Sequence, residues 1–178
     1  MRVGSLIVVS LIVAAGAVRA QAPDSSNTEY ARALYLLRDT TEVVRGEVNR
    51  FRRDLEFAGG ATVLSRAVRL NEACAGLRAA VAQERGVFQS ARLATTSARN
   101  AARGLLEEMQ RLDAALRTNC LEGLAARGPG ERADSLKAWG PYHSTRLQGR
   151  LLAYDGAAAR FARSVGIRLS REGPGIVP

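Results

Sequence analysis

With 178 residues, 47% of them hydrophobic, the chain is the size of one domain and long enough to bury a core. Aromatic residues make up 5%, prolines number five, and nowhere does apolar alternate with polar over strand lengths, so β structure has no support. The formal charge is +9, yet of the 26 basic residues only Lys137 is lysine. A GC-rich genome writes that bias by itself, so the charge carries little weight as a sign of a polyanionic partner.

The N-terminus, MRVGSLIVVSLIVAAGAVRAQAPDSS, has the order of a secretory signal peptide. Arg2 supplies the positive start, an apolar run reaches Val18, and Val18-Arg19-Ala20 places small residues at the cleavage positions. Cleavage after Ala20 is favoured over Ala22, which would leave Pro23 just beyond the cut. The run is shorter than the ~20 apolar residues of a membrane-spanning helix, and no cysteine follows it for lipid attachment. Residues 1–20 are therefore expected to be removed and 21–26 to form a short linker. The product is expected in the bacterial periplasm or outside the cell, which weighs against nucleic acid as a ligand. Without Arg2 and Arg19, 24 basic residues (26 less 2) face 17 acidic ones, a charge of +7.

Along the mature chain the apolar residues recur at helical spacing. Tyr30, Leu34, Leu37, Thr41, Val44, Val48, Phe51 and Leu55 draw one four-three seam. Ser26 and Glu29 have the spacing of a capping box, and Ala58-Gly59-Gly60 supplies a stop. A second seam runs through Val63, Ala67, Leu70, Cys74, Leu77, Val81 and Phe88. A third runs through Ala98, Ala101, Leu105, Met109, Leu112 and Leu116, with Cys120 near its continuation.

Residues 126–135, ARGPGERADS, read as a loop. A short helical piece over 136–139 is expected to stop at Gly140-Pro141, with Pro141 in the first turn of the next helix. That fourth helix carries Leu147, Leu151, Tyr154, Ala158, Phe161 and Val165, and Gly173-Pro174-Gly175 leaves 173–178 as a tail. Helices polar on one side are not stable alone in water. Four of them joined by short loops predict an all-α fold over 27–172, an antiparallel up-down four-helix bundle with long, coiled-coil-like helices.

If the two cysteines are paired with each other, rather than free, interchain or redox-active, they set the register. A turn at Gly86 would set Cys74 level with a residue near 98 and leave Cys120 about 33 Å away, too far for a disulfide. A turn at their midpoint, 97, falls instead on Thr95-Thr96-Ser97, good capping chemistry and poor helix interior. A structural Cys74–Cys120 bond, common in exported proteins, then predicts helices over 27–57, 61–94, 97–126 and 142–171, rods of about 45 Å.

Few residues offer chemistry. Neither cysteine lies in C-x-x-C-H, and Glu107-Glu108 lacks the histidine of a di-iron motif. With a turn near 134, His143 lies level with residue 125, about 24 Å from the level of Met109, too far for a shared haem. No Ser-His-acid context or glycine-rich phosphate loop occurs. No enzyme activity, metal or cofactor is expected. Trp139, Tyr142 and His143, around Gly140-Pro141, read as an aromatic corner closing one end of the bundle; the alternative is a small aromatic binding surface.

On a helical wheel Arg146, Arg150, Arg160, Arg168 and Arg171 fall within about 40° of one direction, roughly 100° from the apolar seam. Ala153, Ala157 and Ser164 lie between them, and Asp155 points elsewhere. Such arginines ordinarily pair with acids of the next helix, here Glu42, Glu47 and Asp54. Otherwise they present a surface to phosphate or carboxylate. The expected function is a non-enzymatic protein of the cell envelope that binds or scaffolds other envelope proteins. The alternative is an anion or lipid-headgroup module, with anionic lipid or lipopolysaccharide as partner.

Overall fold

The computed structural model describes residues 25–121 and 129–169. Among them are four helices and no strand: α1 (Ser25–Phe57), α2 (Gly60–Gln89), α3 (Thr96–Asn119) and α4 (Pro129–Ser164). Residues 1–24, where a signal peptide and most of the linker are expected, and the expected tail at 173–178 lie outside the described residues. No described helix is long and apolar enough to cross a membrane.

The apolar spacing forms the core. On α1, Tyr30, Leu34, Leu37, Thr41, Val44, Val48 and Phe51 are all buried, and Leu55 is half-buried at the helix end. Thr41 satisfies its hydroxyl within its own helix, donating to the Leu37 carbonyl at 2.6 Å. Val63, Leu70, Cys74, Leu77, Val81 and Phe88 do the same on α2, and Leu105, Met109, Leu112 and Leu116 on α3. α4 contributes Leu147, Leu151, Tyr154, Ala158 and Phe161. Where α1 begins and α2 and α4 end, Tyr30, Phe88 and Phe161 pack together, with ring centroids 5.4–6.4 Å apart.

The sulfurs of Cys74 and Cys120 are 2.06 Å apart, their Cα atoms 6.2 Å, with both side chains buried. The α2–α3 connection is wider than expected, because α2 stops at Gln89 rather than at 94 and residues 90–95 are not helical. Ser90 closes α2, its amide and hydroxyl both donating to the Gly86 carbonyl. Thr95 caps α3, accepting from the Ala98 amide at 3.1 Å. Gly86 is inside α2, not at a turn. α3 ends at Asn119, short of 126, and Leu121 takes the left-handed position (φ 67°) that glycine usually fills. Its half-buried side chain packs on the core and offsets that conformation.

The largest departure is α4. It starts at Pro129, inside the expected loop, and passes through Gly140-Pro141 without a break. Proline disfavours helical backbone in the residue before it partly through that residue's Cβ, and Gly140 has none. Gly140 is also buried against α1: a Cβ there would stand 3.0 Å from Phe51 Cε1. Pro141 is exposed, and the helix turns its missing amide outward. The early start shortens the α3–α4 connection and shifts its register, so that His143 contacts Asn119 instead of standing level with residue 125.

α4 also ends early. Gly166 at φ +76°, with Ile167 N bonded to Ala162 O (2.8 Å) and Gly166 N to Arg163 O (3.3 Å), forms a Schellman stop. The helices are thus unequal, 33, 30, 24 and 36 residues. At the start of α1, Ser26 falls within the first turn, not ahead of it as a capping box requires.

Each helix meets at least two others. α1 packs on α2 and α4, and α2 and α4 on all three of their neighbours. Asn27 donates to Val165 O (3.4 Å), Arg45 pairs with Asp155, and Arg52 reaches Gln148 (2.8 Å). Between α1 and α2, Arg66 binds Asp54 (2.8 Å) and Glu47 (3.4 Å). Arg78 approaches Asp113 across α2 and α3 at 3.7 Å.

Candidate functional site

The arginines read as one stripe divide into two groups. Arg146, Arg150 and Arg160 are exposed on α4. Arg168 lies beyond the Gly166 stop, so the helical wheel does not place it; its backbone carbonyl accepts the Tyr35 hydroxyl at 3.0 Å. Arg171 lies outside the described residues. Of the small residues between, Ala157 is buried and Ala153 half-buried, while Ser164 donates its hydroxyl to Phe161 O at 2.7 Å.

The acids expected to neutralise this stripe are engaged elsewhere. Glu42 binds Arg45 at 2.8 Å, Glu47 binds Arg50 at 2.5 Å and Arg66 at 3.4 Å, and Asp54 binds Arg66 at 2.8 Å. The reason is the angular position of each side chain. The arginines lie on the side of α4 that meets α3, whereas α1 meets the side carrying Gln148 and Asp155. The acids lie on the neighbouring helix, as expected, but α1 meets the other flank of α4. Among the described residues, the acid that approaches the stripe is Glu108 of α3, 4.0 Å from Arg150 and already paired with Arg111.

Asp155 does point away from the stripe, toward Arg45 of α1. Burial raises its carboxyl above the ordinary value of 3.8, and Arg45 opposes that shift. Arg66, held between Asp54 and Glu47, is raised chiefly by its hydrogen bond to Asp54. Tyr154 is buried with no partner for its hydroxyl among the described residues, and burial pushes that group well above its usual range.

The aromatic corner does not close the end of the bundle. Trp139 is 61% exposed and Tyr142 51%, since Gly140, between them, takes the core-facing position. Arg146 lies over the Tyr142 ring, 5.2 Å from its centroid, and donates to its hydroxyl. His143 is half-buried, its Nδ1 3.0 Å from Asn119 Oδ1. The Asn119 amide nitrogen already donates to Ala115 O and Thr118 Oγ1, both at 2.9 Å, so Oδ1 is left to accept from the Nδ1–H of His143.

One depression opens on the same flank, of about 520 Å³, lined by Ser97, Asn100 and Ala101 of α3 and Arg160, Arg163 and Ser164 of α4. Its lining holds two arginines and no acid. Ser97, Asn100 and Arg163 were not legible as candidates, because periodicity on one helix says nothing of what the next helix brings beside it. The chain gives no match to family models, to curated proteins or to solved structures.

Proposed function

We propose that this chain is an exported, non-enzymatic protein of the cell envelope that binds or scaffolds other envelope proteins, built as an antiparallel up-down bundle with its signal peptide removed near Ala20. The bundle topology is supported by pairs that rise along α1 as they fall along α4: Asn27 with Val165, Arg45 with Asp155, Arg52 with Gln148. The observation that carries the binding role is the outer surface. Phe57 is 81% exposed and Leu152 65%, apolar side chains whose removal from water against a partner would be favourable. A photo-crosslinker at residue 152 of the exported chain tests it. A discrete adduct that a crosslinker at Gln110 does not give is expected; the same pattern from both positions would defeat the reading.

A second reading, anion or lipid-headgroup binding by the α4 arginines, is favoured by the engagement of Glu42, Glu47 and Asp54 with Arg45, Arg50 and Arg66. Anionic lipid and lipopolysaccharide are the matching partners. Arg150→Glu with Arg160→Glu should abolish salt-sensitive binding to anionic vesicles, and unchanged binding would end this reading.

A further inference from the structure

Because α4 runs unbroken through Pro141, the aromatic corner and the arginines belong to one line. Trp139, Arg146, Arg150, Ala153, Ala157, Arg160 and Ser164 follow at intervals of seven, four, three, four, three and four, the spacing of a single helix face. Tyr142 lies one turn from Trp139 on that line, and the acid-free depression with Arg160, Arg163, Ser97 and Asn100 lies at its other end.

We infer that this α3–α4 flank docks on the surface of an anionic phospholipid bilayer, with Trp139 and Tyr142 at the headgroup level and one lipid phosphate in the depression beside Arg160 and Arg163. The inference rests on the second, anion-binding reading and adds the partner, the orientation and the headgroup seat.

Three features favour a bilayer over a small soluble anion. The cationic and aromatic groups extend from residue 139 to 163, a length of about 36 Å at 1.5 Å per residue, far longer than one small ligand. Tryptophan and tyrosine, apolar rings with one polar tip, settle at the membrane–water boundary. Arginine on a long aliphatic stem keeps its charge at phosphate depth. Arg160 folds along α4, its Nη1 3.4 Å from where a Gly156 Cβ would stand. Among the described residues neither Arg160 nor Arg163 has an acidic partner, so both charges are available to phosphate. Ser97 and Asn100, both exposed, add a hydroxyl and an amide donor at the same place.

The chain has a single tryptophan, so Trp139 reports the contact by itself. The mature, oxidised protein is titrated with vesicles of phosphatidylethanolamine, with and without phosphatidylglycerol, while tryptophan emission and co-sedimentation are followed. The expected result is a blue shift with anionic vesicles alone, reversed by salt, and quenching of Trp139 by lipids brominated near the headgroup. Each arginine near an anionic surface contributes roughly fivefold to partitioning, so Arg160→Gln with Arg163→Gln weakens binding about 25-fold. The thermal unfolding of that variant, altered only at exposed positions, shows that its fold is kept.

Binding to anionic vesicles with an unshifted Trp139 would overturn this docking face and leave the anion reading standing. Absence of vesicle binding together with arginine-dependent binding to an acidic protein would overturn the membrane partner alone. Binding to neither would overturn both.

Discussion

Gly140 of α4 lies directly against Phe51 and Leu55 of α1, where a Cβ would stand 3.0 Å from Phe51 Cε1 and 2.9 Å from Leu55 Cδ1. Added volume in a packed core costs about 1–3 kcal/mol, whereas alanine gains about 1 kcal/mol over glycine in a helix interior. A Cβ at residue 140 also crowds Pro141. Gly140→Ala should therefore lower stability despite the better helix propensity. Gly149→Ala, in open space on the same helix, should raise it by up to about 1 kcal/mol. Urea unfolding of the two variants checks the difference, and a gain in both would contradict the close α1–α4 contact.

Cys74 and Cys120 are 46 residues apart in sequence and both buried. A loop of this length, closed in the unfolded chain, contributes about 4 kcal/mol. Replacing both cysteines by alanine should lower the unfolding free energy by about that amount. The native protein should also resist dithiothreitol until it opens, and rapid reduction under native conditions would argue against burial.

Tyr154 carries a buried hydroxyl with no hydrogen-bond partner among the described residues. An unsatisfied buried polar group costs about 1–3 kcal/mol, so Tyr154→Phe should stabilise the bundle, by about 1 kcal/mol after the small void is allowed for. Burial raises the folded-state pKa of this phenol above its ordinary 10.0. Its contribution is then complete below pH 10.0 and lost as pH rises further, so the variant's advantage should widen in alkali. A constant difference across the alkaline range would contradict this account.

Asp155 follows the same sign for a carboxyl. Its folded-state value lies above 3.8, so the folded protein holds this proton more tightly than the unfolded chain. Stability from this group is present below 3.8 and falls as pH rises through the raised value. Relative to Asp155→Asn, the parent protein should lose thermal stability as pH rises above 3.8 through the raised value. A gain over that range would mean that the Arg45 pairing outweighs burial.

The core was legible in the sequence wherever periodicity was the deciding signal. Leu34, Leu37, Val44 and Val48 on α1, and Leu105, Met109, Leu112 and Leu116 on α3, are buried as their spacing implies. The cysteine register was legible too, since two points of contact determine where a hairpin turns. Helix ends were less so. Gly140-Pro141 has the composition of a break, and it stays helical because Gly140 fits under Phe51, a tertiary contact no local pattern contains. Gly166 looks like an ordinary interior residue until its positive φ ends α4 and removes Arg168 from the stripe. The partners of the arginines escaped for a related reason. Spacing gives an angle on one helix, and which neighbour faces that angle is decided by packing.

Intact mass and non-reducing peptide mapping of the protein exported with its own signal test the account most directly, because compartment, register and fold meet at one bond. The account predicts an N-terminus at Gln21 and a linked Cys74–Cys120 peptide pair. Free thiols or an interchain bond would contradict it.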